Sequence, residues 1–279
     1  MSVELPEAKI VAEQMNHELK GKQVKSFLVK DCERLQRIGM MEKNLTSFNQ
    51  LVDAKIESVA ARGNVIRVKF DNGANLILGP EYGGEIFYHK NEADVPRFHL
   101  RLDFSDGTVL TVRLTSMGVI QVVKDDALET SYVYKRDFDP TKLSPTDEAF
   151  TFERFAKLMA ENNKMLKSVL VGKDAIIVGV SNSTFQDILY HAGIHPKRKA
   201  AELGMDEWQS LYDAILMVVK ERIRLNGKDL FHDLYGKQGS YVPAMGPNMK
   251  QKACPICGAK IEKLSMGGGQ VYLCPSCQR

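Results

Sequence analysis

Four of the chain's five cysteines stand in its last 26 residues, as Cys254-Pro-Ile-Cys257 and Cys274-Pro-Ser-Cys277. A cysteine pair two residues apart wraps a metal from a tight knuckle. Two such pairs separated by sixteen residues have the spacing of a structural tetrathiolate zinc site. A closed shell of four sulfurs leaves no position for substrate, so one zinc ion is expected to organise the fold and do no chemistry. Redox-active Cys-x-x-Cys pairs are the rival reading, but no thioredoxin-like strand–helix–strand context surrounds them. Cys32, between Lys30 and Arg34, is a lone cysteine and is expected to be inert. A second chemical signal lies at residues 178–200, where a Gly/Ser/Asn turn containing Ser181-Asn182 precedes a helical run and Lys197-Arg198-Lys199 follows it. Backbone amides at a helix start bind phosphate, and three adjacent cations add charge. Taken alone, the segment reads better as a helical hairpin with a solvated basic loop. The six histidines have neither metal nor triad spacing, and His195 before Pro196 reads as a turn residue. Tyr82 within Pro80-Glu81-Tyr82-Gly83-Gly84 reads as a turn tyrosine rather than a base-stacking platform.

The elements that must carry these groups follow from hydrophobic periodicity. Ala8, Ile10, Val11, Met15 and Leu19 recur at helical spacing between Pro6 and Gly21. From Val24 to Val123 the pattern changes to short β-branched runs at 56–59, 64–70, 75–78, 98–104, 109–114 and 119–123. Asp71-Asn72-Gly73 and Ser105-Asp106-Gly107 separate pairs of them as hairpin turns do. This half reads as an antiparallel β-sandwich. Around residues 132–150 the pattern lapses near Pro140 and Pro145. Beyond it, 152–165, 184–192 and 206–224 carry apolar residues at three- and four-residue steps, with Ser183 and Asp206 as expected caps. Between the cysteine pairs, 260–263 and 271–273 alternate as two short strands joined through Gly267-Gly268-Gly269.

The fold class expected is α+β: an N-terminal helix and antiparallel sandwich over residues 1–135, a linker at 136–150, a helical domain at 151–245 and a tetracysteine zinc finger at 246–279. At 279 residues, 44% hydrophobic and 26% charged, the chain can bury a sizeable core. Its formal charge of +3 is too small to specify a polyanion partner, so any nucleic-acid surface must come from local clustering. No apolar run of membrane-spanning length and no secretory signal pattern occurs, and the cysteines are not spread as a disulfide framework; a cytoplasmic protein is expected.

The Leu5-Pro6-Glu7 start, Ser181-Asn182 followed by Ala192-Gly193-Ile194-His195-Pro196, and the terminal Cys274-Pro-Ser-Cys277-Gln278 together resemble the formamidopyrimidine-DNA glycosylase / endonuclease VIII family in order and spacing. Leu143-Ser144-Pro145 and Met165-Leu166-Lys167 are weaker echoes, and the resemblance spans nearly the whole chain. It implies a helix-two-turn-helix in the second domain, double-stranded DNA carrying damaged or abasic sites as partner, and a monomer working beside the nucleoid. It also implies base excision with strand cleavage by an N-terminal amine. Asn182 matches the family's phosphate-holding asparagine, Lys167 lies near a family lysine, and Glu4 and Glu7 match its two N-terminal glutamates.

Several positions depart from the pattern. The family's nucleophilic proline aligns with Val3, and Ser2 adds a residue before it, so the amine implied is that of Ser2 or, after further processing, of Val3. The hairpin lysine aligns with Asn64, the zinc-hairpin arginine with Gly269, and the intercalating residues with Thr115 and Met117, the latter still an apolar wedge. Loss of two cations weakens phosphate binding. The readings carried forward are a DNA-damage-binding member of the family, with or without glycosylase/lyase chemistry, and a catalytically inactive module on the same scaffold that engages DNA, RNA or a protein.

Overall fold

The computed structural model describes residues 3–279 apart from Lys43, Tyr82, Ala93, Asp94 and Met117. The chain divides into two compact units. One holds residues up to Asp139 together with Asp229–Ser240; the other holds Pro140–Lys228 and Tyr241–Arg279. Among the described residues no helix is long and apolar enough to cross a membrane.

The first unit opens with α1 (Leu5–Leu19), whose buried residues include Ala8, Val11, Met15 and Leu19. Pro6 sits in the first turn, where a missing N–H costs nothing, and the Glu7 carboxylate accepts the Glu4 N–H at 3.2 Å. There follow β1 (Val24–Val29), α2 (Glu33–Arg37), β2 (Ile56–Arg62), β3 (Val65–Phe70), β4 (Ala74–Gly79), β5 (Gly84–His89), β6 (Leu100–Phe104), β7 (Val109–Leu114), β8 (Val119–Lys124) and α3 (Tyr132–Asp137). They form two four-stranded antiparallel sheets, ordered β1-β6-β7-β5 and β2-β3-β4-β8. Every residue of the inner strand β4 is buried, as a strand covered on both faces requires. Asn72 and Asp106 close their hairpins by accepting the backbone N–H two residues on, from Ala74 and Thr108. The sequence pattern misses β1 and β5. Both are edge strands with mostly exposed or half-buried residues, so neither carries the alternation that reveals a strand. The return segment Asp229–Ser240 lies in this unit because Asp233 and the Leu234 N–H bind the Gln14 side chain, Tyr235 donates to Glu18, and the Leu234 carbonyl accepts from Tyr88. Polar anchoring of this kind leaves no periodic signal.

The second unit contains α4 (Phe152–Ala160), α5 (Leu166–Leu170), α6 (Asn182–Ala192), α7 (Met205–Arg224) and the hairpin β9 (Glu262–Met266) and β10 (Gly269–Leu273). Phe155, Leu166, Phe185, Ile188, Leu211, Ile215 and Val218 share one apolar core. The periodicity over 152–165 predicts a single helix, but α4 ends at Ala160 because Asn162 turns its amide back onto the Leu158 carbonyl at 2.7 Å. The expected caps also move. Ser181, not Ser183, caps α6 by accepting the Ser183 N–H, and α7 starts after Gly204, whose N–H is held by Glu207. Asp206 instead lies in the first turn of α7, where its charge favours the helix dipole. Gly193, at φ +69°, ends α6, and the Ile194 N–H returns to the Leu189 carbonyl.

The β2–β3 turn holds Gly63 at φ +58°, and a Cβ there would stand 2.6 Å from the Asp137 carboxyl. Gly63→Ala is therefore expected to destabilise the first unit by about 2 kcal/mol, through left-handed strain and displacement of Asp137 together. Denaturant unfolding measures this, and a midpoint unchanged from the parent would contradict the packing described.

Candidate functional site

The zinc site assembles at one end of the second unit. Cys254, Cys257, Cys274 and Cys277 bring their sulfurs within 4.8 Å of one another, with Cys254 to Cys277 at 3.8 Å and Cys257 to Cys274 at 3.5 Å. Tetrahedral zinc with Zn–S bonds of about 2.3 Å requires sulfurs about 3.8 Å apart, so the four residues fit one structural zinc. Tyr190 of α6, 4% exposed, donates its hydroxyl to the Cys254 sulfur at 3.3 Å. Burial, then the hydrogen bond with Cys254, raises the Tyr190 pKa. Gln278, 2% exposed, accepts the Cys274 N–H and donates to the Ile194 carbonyl; the Arg279 backbone pairs with Gly193 and His195. The second knuckle is thereby fastened to the turn that ends α6.

The same helix holds the hairpin by its side chains. Asn182 Nδ2 donates to the Gln270 carbonyl at 3.0 Å, and Gln186 donates to that carbonyl and accepts the Tyr272 N–H. The Asn182 Oδ1 is buried without a partner. Gly267 and Gly268, at φ +53° and +76°, make the two-residue turn between β9 and β10. Lys167 Nζ donates to the Met266 carbonyl beside that turn at 2.5 Å, and burial holds its pKa below the usual lysine value. Residues 164–166 and 198–200 pair through Leu166 N–H to the Arg198 carbonyl and Ala200 N–H to the Lys164 carbonyl, so Lys199 stands opposite Met165 in an isolated antiparallel bridge. Gln186, Gln270 and this pairing give no sequence signal, because each acts through backbone partners far away in the chain.

The basic turn is less free than its composition implies. Lys197 and Lys199 are exposed, but Arg198 is bound by the Glu207 carboxylate and by the Glu202 and Arg279 carbonyls. His195 accepts the Lys197 N–H on Nδ1 at 3.2 Å, and burial, then the Lys197 charge, lowers its pKa, so the neutral ring shapes the turn.

In the first unit, Val3, Glu4 and Glu7 meet at the start of α1; the two glutamates are fully buried and Val3 is 4% exposed. The nitrogen of Val3 is a peptide N–H and donates to the Pro80 carbonyl at 3.3 Å. Ser2, Met117 and Tyr82 lie outside the described residues. Asn64 occupies the β2–β3 turn, where its N–H is bound by Asp137 Oδ2 at 2.9 Å and its own Oδ1 is buried without a partner. Arg136 lies between Asp137 and Glu81. Burial works against its charge, but the two carboxylates outweigh it and hold the guanidinium above its ordinary pKa. Arg62 donates to the Asp137 and Asp139 carbonyls. The turn is thus organised around a buried carboxylate.

Three family models match successive parts of the chain: the formamidopyrimidine-DNA glycosylase N-terminal domain at residues 3–115, the formamidopyrimidine-DNA glycosylase H2TH domain at 142–232, and the zinc finger found in FPG and IleRS at 251–279. The formamidopyrimidine-DNA glycosylase of Pelotomaculum thermopropionicum is 28% identical over 283 residues, covering 99% of each chain. That of Streptococcus pneumoniae is 24% identical, covering 99% of this chain and 98% of its own. The Lactococcus lactis Fpg in complex with DNA containing an abasic site superposes with a TM-score of 0.82 at 21% identity, covering 99% of both chains. MutM in complex with DNA carrying carbocyclic 8-oxo-G gives a TM-score of 0.80 at 23% identity, with the same coverage. At these identities the two structures establish the fold.

Tyr190→Phe keeps the ring and removes only the hydrogen bond to sulfur. It is expected to speed zinc loss to a chromophoric chelator by about 10–100-fold while helix content stays unchanged. Equal transfer rates would remove Tyr190 from this role.

Proposed function

We propose, for a chain that belongs to the formamidopyrimidine-DNA glycosylase / endonuclease VIII family, that it recognises abasic or damaged duplex DNA in base excision repair, and that with Ser2 in place it does so without Schiff-base chemistry at Val3. The compartment this implies is the cytoplasm, at the nucleoid. The observation that carries recognition is the placing of Lys167 and Asn182 against the zinc hairpin in the second unit, with Lys199 paired to Met165 two residues before Lys167. Ammonium groups and amide N–H donors at a helix start are the groups that hold phosphodiester oxygens, and they fix register without reading sequence. Preference for damage then comes from the lower cost of unstacking an abasic or lesion-bearing step.

The chemical half of the reading rests on Val3. Attack on a sugar carbon needs a nitrogen lone pair, and that of a peptide nitrogen is delocalised into the carbonyl before it. The Val3 N–H is also spent on Pro80, and the Glu7 carboxylate on the Glu4 N–H. In the first unit Asn64 presents an amide where the family places a cation, next to Asp137, which supports recognition that relies on the second unit's cations. A second reading has one supporting observation: Val3 adjoins the fully buried Glu4, so an amine released at position 3 would stand beside a carboxyl able to move a proton.

Equilibrium binding to a duplex with one tetrahydrofuran abasic-site analogue, beside the same duplex intact, tests recognition. At least tenfold preference for the abasic duplex is expected. With about three phosphate-bound cations, affinity should fall roughly 40-fold between 50 and 200 mM salt. Equal affinity for both duplexes with no salt dependence would refute the proposal.

A further inference from the structure

The β9–β10 turn has no side chain at Gly267, Gly268 or Gly269, and the notch this leaves is occupied by a neighbour. A Cβ built on Gly267 would lie 3.5 Å from Lys167 Cδ, Cε and Nζ, and one built on Gly269 would lie 3.7 Å from Lys167 Nζ and 3.6 Å from Asn182 Nδ2. The ammonium and the amide therefore flank a single point on the hairpin surface. By the family resemblance, Gly269 also stands at the position of the zinc-hairpin arginine.

We infer that Lys167 supplies the phosphate-gripping cation of the zinc hairpin, reaching through the notch opened by Gly269 to a backbone phosphodiester that it shares with Asn182.

Donor geometry carries the argument. An ammonium has three N–H donors, and the Met266 carbonyl uses one. The Asn182 amide has two, and the Gln270 carbonyl uses one. Donors from both side chains remain for the unbridged oxygens of one phosphodiester. Among the described residues Lys167 makes no ion pair, and its stem is half-buried, so its charge has lost water without gaining a carboxylate. An anion in the notch restores what burial removed. A side chain at Gly269 would project between the two donors and take their place at the phosphate, so a long side chain from α5 and a bare glycine on β10 form one complementary arrangement. The inference deepens the proposed function and rests on it.

Lys167→Met keeps the apolar stem and removes the ammonium. Gly269 does not have positive φ, and a Cβ there meets only ordinary contacts, so Gly269→Arg fits the backbone and returns a cation to the same point. Each full-length variant is first shown to retain one zinc and the parent's unfolding midpoint, and is then titrated with the abasic-analogue duplex from 50 to 200 mM salt. Lys167→Met is expected to weaken binding about tenfold at low salt and to reduce the slope of log affinity against log salt by about 1. Lys167→Met with Gly269→Arg is expected to restore that slope. A Lys167→Met variant that keeps its zinc and the full slope would overturn the inference and leave damage recognition standing. A loss of affinity that Gly269→Arg does not restore would overturn it too, because a missing charge would then not be the cause. A parent protein without salt-dependent binding would remove the proposed function itself, and the inference with it.

Discussion

The final 26 residues cannot fold on hydrophobic burial alone. Between Cys254 and Arg279 only Val271 and Leu273 add buried apolar side chains beyond the cysteines, far less than a segment of that length needs. Zinc–thiolate bonding replaces the missing core, and binding of the metal is then also the folding of the ribbon. Everything at the candidate site depends on this constraint, because the ribbon supplies the carbonyls of Met266 and Gln270 against which Lys167 and Asn182 are oriented. Tyr190, Gln186 and Gln278 extend it inward: one bonds a cysteine sulfur, one an edge of β10, one the end of α6. A site built on such supports holds its donors in place before a ligand arrives, which is where affinity for a flexible polyanion is gained.

The first unit follows a different electrostatic plan. Its β2–β3 turn is tied to Asp137, and Arg136, flanked by Asp137 and Glu81, neutralises that buried carboxylate. The buried network fixes the conformation of the turn, since breaking one member would leave another charge unpaired. It leaves no spare positive charge for a phosphate. The two units thus differ: the first holds a hairpin turn tied to a buried carboxylate and a capped helix, and the second carries Lys167 beside the zinc hairpin and the exposed Lys197 and Lys199. At the start of α1 the Val3 N–H and the Glu7 carboxylate are bound to the chain's own backbone.

Much of this was legible in the residues. The cysteine spacing gave the zinc site, and the apolar periodicities of 7–19 and 206–224 match helices that bury those faces. The edge strands β1 and β5 were hidden because edges bury too little to alternate, and the break after Ala160 because a side-chain hydrogen bond overrode a continuous helical pattern. Asn182 and Lys167 could be picked out by resemblance, but their convergence on a glycine notch depends on how α5, α6 and β10 pack, which no local pattern encodes. Arg198 shows the opposite case. Composition placed it in a basic turn, and the fold assigns its guanidinium to Glu207.

The central claim is that the chain recognises DNA damage while its Val3 nitrogen remains a peptide N–H. Borohydride trapping on abasic-site duplex DNA, run with intact-mass analysis of the N-terminus, tests it directly. Protein retaining Ser2 is expected to bind the duplex and to yield no covalent adduct through Val3. An adduct mapped to the Val3 nitrogen of protein whose Ser2 is still attached would contradict it.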